Sequence, residues 1–199
     1  MGDLFLVRHG ETEWSRSGRH TGSTDVPLTE SGREEARRLV PLIRSHRIGA
    51  AFVSPLQRAR ETAELIGLQQ FRVDSDLREW DYGGYEGVST PEIQRGRPGW
   101  FLFTDGVAPG PPDHPGETPE QVGERADRML GKVDAALANT EGVVVLVAHG
   151  HFLRVLTARR LGLPPQQGAL FQLGTGTLSR LGTEHGRPVI AGWNIRAPR

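Results

Sequence analysis

The stretch Leu4-Phe5-Leu6-Val7-Arg8-His9-Gly10-Glu11-Thr12 changes from apolar to polar between Val7 and Arg8. Four consecutive apolar residues followed by polar ones are typical of a strand that is buried on both faces. Arg8 and His9 then stand at the carboxyl end of this predicted strand. In open α/β sheets ligands bind just outside the carboxyl ends of the strands, so these two residues are the first candidates for a functional site.

Two further segments show the same change of character. Residues 143–147 are all valine or leucine and lead into Ala148-His149-Gly150-His151. Residues 50–53 lead into Ser54-Pro55-Leu56-Gln57, where serine as N-cap, proline at the first helical position and glutamine at the third predict a helix start. This places Arg58 in the first turn of that helix.

Helical segments and a hairpin complete the pattern. Capping boxes predict helix starts at Ser31-x-x-Glu34 and at Thr118-Pro119-Glu120-Gln121, and another helix is expected to run to about Leu161. Residues 177–195 alternate around Glu184-His185-Gly186, which predicts a terminal hairpin. The order of elements predicts an α/β domain with a mainly parallel sheet.

In such a sheet the polar residues that follow the strands converge although they are distant in sequence: Arg8, His9, Arg58 and His149. Two histidines and two arginines suit an oxyanion, most simply a phosphoryl group, whose transfer needs a nucleophile and positive donors around its oxygens. A neutral histidine can attack through one ring nitrogen when a backbone carbonyl holds the proton of the other. A leaving alkoxide also needs a proton, so we expect a carboxylic acid nearby.

The composition excludes several other kinds of chemistry. The chain has 199 residues and no cysteine, which removes disulfides, cysteine zinc sites and cysteine nucleophiles. Its only lysine is Lys132, so it has no Gly-Lys-Ser/Thr nucleotide loop. A net charge of zero without basic runs argues against nucleic acid as a partner.

The chain is expected to form one domain over residues 1–199. Its longest apolar run, residues 143–148, is far too short to cross a membrane, and the amino terminus lacks the apolar core of a signal peptide. We therefore expect a cytoplasmic protein without membrane contact. The Gly/Pro-rich residues 106–116 are interpreted as a surface loop, and residues at about 80–116 as an insertion of the cap or lid type. The sequence leaves the choice between a monomer and a homodimer open.

The opening stretch also resembles the signature of the histidine phosphatase superfamily, the phosphoglycerate-mutase-like proteins. The other segments of this resemblance follow in the family's order: Thr21-Gly22, Pro27-Leu28-Thr29-x-x-Gly32, Ser54-Pro55-Leu56-x-Arg58-Ala59-x-x-Thr62, Leu77-Arg78-Glu79-Trp80-Asp81-Tyr82-Gly83-x-x-Glu86-Gly87, Gly116-Glu117-Thr118 and Val147-Ala148-His149-Gly150. Together they span most of residues 4–151.

The resemblance implies a three-layer α/β/α fold, a mostly parallel sheet with one antiparallel edge strand, and no metal or other cofactor. It makes His9 the phosphorylated nucleophile and Glu79 the proton donor, with the phosphate held by Arg8, Arg58 and His149. The residues expected on the substrate side are Glu11, Ser15, Thr21, Gly22 and Gly150. From the residues alone, Asp76, Asp81 and Glu86 compete equally with Glu79.

One position departs from the pattern of many members. They carry Arg-His-Gly-x-Thr-x-x-Asn, whereas this chain has Ser15 in place of the asparagine. Serine is shorter and has a single donor, so we expect a phosphate contact there to be lost or bridged by water.

The stretches Glu13-Trp14-Ser15 and Leu77-Arg78-Glu79-Trp80-Asp81-Tyr82-Gly83 are most similar to a subgroup of acid phosphatases and sedoheptulose-bisphosphatases. This favours a metal-independent phosphatase whose substrate is a small-molecule phosphate ester, either a simple phosphomonoester or a sugar phosphate. The first alternative is a cofactor-dependent phosphoglycerate mutase, although no Arg-Arg pair lies between Gly87 and Gly116. The second is a catalytically silent or metal-binding regulatory domain that uses His149-x-His151.

The sequence leaves some residues near these motifs without a settled role. Arg16, Arg19 and His20 can either contact a second phosphate or belong to a solvated loop. His151 is interpreted as a structural residue. The aromatic residues of the middle segment are expected to pack in the core or in a lid: Trp80, Tyr82, Trp100, Phe101 and Phe103.

Overall fold

A computed structural model describes residues 2–197, and within them the strands form one sheet. The strands are β1 (Leu4–Arg8), β2 (Ile48–Val53), β3 (Arg72–Val73), β4 (Val143–Ala148), β5 (Thr177–Glu184) and β6 (Arg187–Ile195). The order across the sheet is β3-β2-β4-β1-β5-β6. The first four are mutually parallel, whereas β5 is antiparallel to both β1 and β6.

The helices cover both faces of this sheet. They are α1 (Glu13–Arg16), α2 (Glu30–Arg38), α3 (Val40–Arg44), α4 (Gln57–Leu65), α5 (Thr90–Gly96), α6 (Leu102–Asp105), α7 (Pro119–Asn139) and α8 (Gly150–Arg160). Short 3₁₀ turns lie at Ser75–Leu77, Gly83–Tyr85 and Pro165–Leu170.

Alternate residues of the central strands face different helical layers. Leu4 and Leu6 belong to a core formed with α7, α8 and the middle segment. Phe5 and Val7 belong to a second core formed with α2, α3 and α4. Because successive strand residues point to opposite faces, an unbroken apolar run is required where both faces are covered. The predicted three-layer α/β/α fold is confirmed.

The antiparallel edge of the sheet is the predicted terminal hairpin. β5 pairs with β1, and β6 lies outermost. The turn between them places His185 at φ 49° and Gly186 at φ 78°. Two consecutive residues with positive φ form the turn whose twist matches that of a hairpin, and glycine accepts this conformation without strain.

One predicted helix start is confirmed and two were wrong. Thr118 is the N-cap of α7, with its capping box formed. α2 begins two residues earlier than expected, because Thr29 rather than Ser31 is its N-cap and accepts from the Gly32 N–H. α4 begins at Gln57 after Leu56 as N-cap, without a side-chain cap. The Ser54 hydroxyl, which was expected to cap α4, accepts from the Leu56 N–H over 3.4 Å and also contacts a histidine of the candidate site.

The aromatic residues of the middle segment mostly enter the core. Trp80, Tyr82, Trp100 and Phe103 are at most 3% exposed and pack with α7 and α8, whereas Phe101 is 44% exposed. None of the helices in residues 2–197 combines the length and the apolar character that crossing a bilayer would require.

Candidate active site

Three strand ends meet at one edge of the sheet, as the sequence predicts. β1 ends in Arg8 and is followed by His9, whose N–H donates to the carbonyl of Ala148 at the end of β4. The rings of His9 and His149 lie 5.1 Å apart between centroids. Arg58, in the first turn of α4 after β2, donates its Nε–H to Nδ1 of His149 over 3.2 Å. The parallel arrangement therefore assembles these four residues from three separate parts of the chain.

His9 is held with one ring nitrogen available for chemistry. Its Nδ1 lies 2.7 Å from the carbonyl oxygen of Gly10. A carbonyl can only accept, so Nδ1 carries the proton and Nε2 keeps its lone pair. Burial, reinforced by the charges of Arg58 and Arg8, lowers the pKa of His9 well below its ordinary value. The ring is therefore neutral and nucleophilic near neutral pH.

His149 lies behind His9 and is fixed from both sides. Because the Arg58 guanidinium can only donate, Nδ1 of His149 accepts and its Nε2 donates to the Ser54 hydroxyl, 2.7 Å away. Burial and the neighbouring Arg58 charge lower the pKa of His149 well below its ordinary value. Arg58 thus determines the tautomer of His149, and Ser54 accepts from the remaining ring N–H.

Arg58 is fully buried and holds the loop that follows Arg19. Beyond His149, it donates to the carbonyl oxygens of Thr21, Gly22 and Thr24 over 2.9–3.1 Å. Burial lowers its pKa from the ordinary value. Glu86 binds the same loop from the other side, accepting from the N–H groups of Gly22 and Thr24. The Arg58 cation thus binds carbonyl oxygens of this loop, and the Glu86 anion binds its N–H groups.

Arg8 presents a free donor at the site. Its Nη1 donates to the Leu173 carbonyl, whereas its buried Nε has no hydrogen-bond partner among the described residues. Its guanidinium lies against Gly150, where an added Cβ would come within 3.0 Å of Arg8 Cζ. A side chain at position 150 would therefore crowd the Arg8 guanidinium. An unpaired buried donor is costly unless a ligand accepts from it, and the oxygens of a phosphate would do so.

Glu79 lies at the amino end of α8. One carboxylate oxygen accepts from the N–H groups of Trp80 and Phe152 over 2.9 and 2.8 Å, and the other accepts from His151 N–H over 3.1 Å. The first N–H groups of a helix have no partner inside the helix and attract an anion. The helix thus holds the Glu79 side chain, which is 8% exposed, at the edge of the cavity.

A cavity of about 200 Å³ opens beside these residues. Its lining includes six of the predicted site residues: Arg8, His9, Ser15, Thr21, Glu79 and Gly150. Its other wall residues are Gly18, Arg19, His20, Tyr82, Thr90, His151, Arg154 and Leu173. Three of the lining residues are arginines, Arg8, Arg19 and Arg154, and their positive charges would favour an anionic ligand.

Four predicted site residues do not line this cavity. Arg58 and His149 are 0% exposed, behind His9. Glu11 instead pairs with Arg16 over 2.7 Å and accepts from the Thr29 hydroxyl over 2.9 Å. Gly22 belongs to the loop bound by Arg58 and Glu86, and an added Cβ there would lie 2.6 Å from the Trp80 carbonyl oxygen.

Ser15 completes the capping box of the short helix α1. Its hydroxyl accepts from the Thr12 N–H over 2.9 Å and donates to the Thr12 carbonyl over 3.0 Å. The residue also lines the cavity. Its hydroxyl is thus engaged with the Thr12 backbone, and the expected loss or water bridging of a phosphate contact here stays a prediction.

Sequence reasoning missed part of the cavity wall. His151, expected to be structural, lines the cavity, and its Nδ1 lies 2.6 Å from the Tyr82 hydroxyl. Burial lowers the pKa of His151 well below its ordinary value and that of His20 to about 4. The position of His151 in the first turn of a helix that starts at the strand end is a signal that would have found it. No comparable pattern marks Tyr82 or Arg154.

The two histidines of His149-x-His151 do not fit a shared metal ion. Both nitrogens of His149 are engaged by Arg58 and Ser54, and His151 is paired with Tyr82. Arg58 also places a positive charge against the His149 ring. The arrangement of donors therefore favours an anion over a cation at this site.

Comparison with known proteins adds independent findings. A family model described as the histidine phosphatase superfamily (branch 1) matches residues 4–196. An acid phosphatase of Mycobacterium tuberculosis is 39% identical over 185 residues, which are 92% of this chain and 87% of that protein. A sedoheptulose 1,7-bisphosphatase of Saccharomyces cerevisiae is 36% identical over 193 residues, which are 82% of this chain and 69% of that protein.

A solved structure supports the same relationship. It is that of the product of an open reading frame from Mycobacterium tuberculosis, and it matches with a TM-score of 0.91 at 36% identity over 99% of both chains. The predicted resemblance is thereby confirmed over nearly the whole length. The chain belongs to the histidine phosphatase superfamily, branch 1.

Proposed function

We propose that the protein is a metal-independent phosphatase that hydrolyses small phosphomonoesters or sugar phosphates through a phosphohistidine on His9. The observation that carries the proposal is the 2.7 Å contact between His9 Nδ1 and the Gly10 carbonyl, which leaves Nε2 free beside Arg8 and Glu79. The family relationship and the names of the relatives, an acid phosphatase and a sugar bisphosphatase, support it.

In the first step the lone pair of His9 Nε2 attacks phosphorus and the bond to the leaving oxygen breaks. Glu79 gives its proton to that oxygen, so the alcohol leaves neutral and Glu79 remains as a carboxylate. The Arg8 guanidinium, which lines the cavity, binds a phosphoryl oxygen. Arg58 acts from behind His9, where it holds the loop and its charge stabilises the phosphoryl group, and His149 lies between Arg58 and Ser54 beside the His9 ring.

In the second step water attacks the phosphohistidine. Glu79 takes a proton from the water, the P–N bond breaks, its electron pair returns to His9 Nε2, and inorganic phosphate leaves. The two steps use the same carboxyl group as acid and then as base, so the enzyme returns to its starting state without a cofactor.

The substrate is selected by the wall opposite His9. Ser15, Thr21 and Gly150 border the phosphate, while Glu11 and Gly22 shape the adjoining loops. We assign the wall formed by residues at about 80–116 to a cap insertion of this single domain. A cavity of about 200 Å³ suits a phosphate with a small alcohol better than a macromolecule.

The test is a phosphate-release assay with sugar bisphosphates, phosphoglycerates, nucleotides and an aryl phosphate, with a chelator present throughout. We expect turnover of small esters that is unchanged by the chelator. His9→Ala should remove it, because the lone pair that attacks phosphorus belongs to His9 Nε2. Retained turnover in His9→Ala contradicts the phosphohistidine route, and absence of turnover in the wild type favours the silent regulatory alternative.

The mutase alternative uses the same first step but returns the phosphoryl group to the substrate. A coupled assay for interconversion of 2- and 3-phosphoglycerate separates the two activities. Rapid interconversion without phosphate release would replace the proposed hydrolysis.

The cytoplasmic location remains a prediction, and the sequence left the choice between a monomer and a homodimer open. Cell fractionation tests the first, and light scattering of the purified protein tests the second.

A further inference from the structure

Arg125 and Glu117 form an ion pair behind the proposed proton donor. Arg125 Nε and Nη2 donate to the two carboxylate oxygens of Glu117 over 2.7 and 2.8 Å. The side chains are only 12% and 21% exposed, and the guanidinium lies 4.9 Å from the ring centre of Phe152. Neither residue takes part in a step of the proposed reaction.

The remaining donors of Arg125 bind the segment that carries Glu79. Its Nη1 donates to the carbonyl oxygens of Asp76 and Arg78 over 2.7 and 2.9 Å, and its Nη2 donates to that of Glu79 over 3.3 Å. A guanidinium has five N–H donors, and all five are directed to Glu117 or to this segment.

Glu117 binds the same segment on the other side of Glu79. Its carboxylate accepts from the Asp81 N–H over 2.9 Å, and its N–H donates to the Asp81 carbonyl over 2.9 Å. Its own carbonyl accepts from the Trp80 indole N–H over 2.8 Å. The backbone is thus anchored immediately before and after Glu79.

Phe152 connects this pair to the carboxyl group itself. Its N–H donates to Glu79 over 2.8 Å, and its ring lies beneath the Arg125 guanidinium. Arg125 therefore contacts both supports of the Glu79 side chain, its own backbone and the first turn of α8. A misplacement of about 1 Å at a reacting group can cost about 10²-fold in rate.

We propose that Arg125, paired with Glu117, is a positioning residue that places the Glu79 carboxyl against the leaving oxygen. It touches neither the substrate nor the reacting atoms. The inference rests on the proposed function, because it presupposes that Glu79 gives a proton to the leaving group.

The test compares two leaving groups. p-Nitrophenyl phosphate releases a stable phenolate that needs little protonation, whereas glycerol phosphate releases an alkoxide that must receive a proton. kcat/KM reports the steps up to departure of the alcohol. The ratio of the two kcat/KM values therefore reports on proton donation to the leaving oxygen. We expect Arg125→Ala to lower kcat/KM about 10-fold or more for glycerol phosphate and less than about threefold for p-nitrophenyl phosphate.

Three further variants make the result specific. Glu79→Gln should show the same dependence on the leaving group, and adding Arg125→Ala to it should cause no further loss with glycerol phosphate, since both changes remove one function. Arg125→Lys should lower the rate less than Arg125→Ala does, because an ammonium keeps the positive charge and offers three donors.

Arg128→Ala is the matched control on α7. Arg128 binds the Asp76 carboxylate over 2.9 Å, and its loss should leave the ratio of the two kcat/KM values unchanged.

Equal losses with both substrates would show a merely structural role and overturn the proposal, as would an unchanged kcat/KM or additive losses in the double variant. If Arg125→Ala does not fold, Glu117→Gln carries the same comparison, because it keeps the shape and removes the charge. Failure of the proposed function would give a different result: the wild type would show no turnover, or His9→Ala would retain it.

Discussion

At the scale of single residues, burial lowers the pKa of every histidine at or behind the cavity: His9, His20, His149 and His151. Their neutral rings serve the proposed chemistry, which needs a free lone pair on His9. The same burial links folding to pH. In the unfolded chain each ring titrates near 6.5, so below that pH the unfolded state binds more protons than the native state, and the free energy of unfolding falls.

The contribution of His20 can be predicted separately, because burial lowers its pKa to about 4. As the pH falls from about 6.5 to about 4, this residue alone should remove about 3 kcal/mol of stability. Urea unfolding at a series of pH values measures this, and His20→Gln should show a smaller loss over the same interval. The exposed His185→Gln is the control and should follow the wild type. An unchanged pH dependence in His20→Gln would contradict the assignment.

Ser54 shows why single residues resist prediction from sequence. Its position before proline marks a helix start, yet its hydroxyl accepts from His149, which is 95 residues further along the chain. Neighbouring residues indicate which hydrogen bonds a serine side chain can form, whereas tertiary contacts determine which of them it does form. The residues at strand ends were predictable because a parallel sheet brings them together whatever its details are.

At the scale of elements, the strands and the long helices followed from periodicity and capping. α7 begins at its predicted capping box, and the apolar run of β4 is fully buried. The wall formed by the middle segment did not follow, since its 3₁₀ turns and short helices have no strong period. Tyr82 reaches the cavity through that irregular packing, and Arg154 reaches it from α8, where no sequence pattern marks it, so only the His9 side of the site was predictable.

The corrected start of α2 gives a direct test of capping. Thr29→Ala should cost about 1–2 kcal/mol in the free energy of unfolding, because it removes the acceptor for the Gly32 N–H. Ser31→Ala, at the exposed position first predicted as the cap, should change it by less than about 0.5 kcal/mol. Chemical denaturation measures both variants. A larger cost at Ser31 than at Thr29 would restore the original prediction.

At the scale of the whole molecule, a net charge of zero coexists with a positive site. Three arginines line the cavity and a fourth lies behind it: Arg8, Arg19, Arg154 and Arg58. Many of the other arginines pair with acidic residues, as Arg38 does with Glu34 on the surface of α2. The charge that attracts an anionic substrate is therefore local, and the chain as a whole contributes little to it.

This distribution predicts how substrate capture depends on salt. Between about 10 mM and about 1 M salt the Debye length falls from about 30 to about 3 Å, so kcat/KM for a phosphate ester should fall several-fold. Steady-state kinetics at constant pH measure this. Arg19→Gln should lower kcat/KM at low salt and flatten the dependence. Arg47→Gln, at the opposite edge of the sheet before β2, should do neither. An equal effect of both variants would show that the total charge matters and the local charge does not.

The contact between Glu79 and the first turn of α8 has a consequence for engineering. In many enzymes the catalytic groups are tolerated at the expense of stability, so removing them makes the protein more robust. Here the carboxylate that is proposed to move the proton also satisfies N–H groups at a helix terminus. Turnover and thermal resistance depend on the same atoms, so a more stable variant would have to be sought elsewhere in the chain.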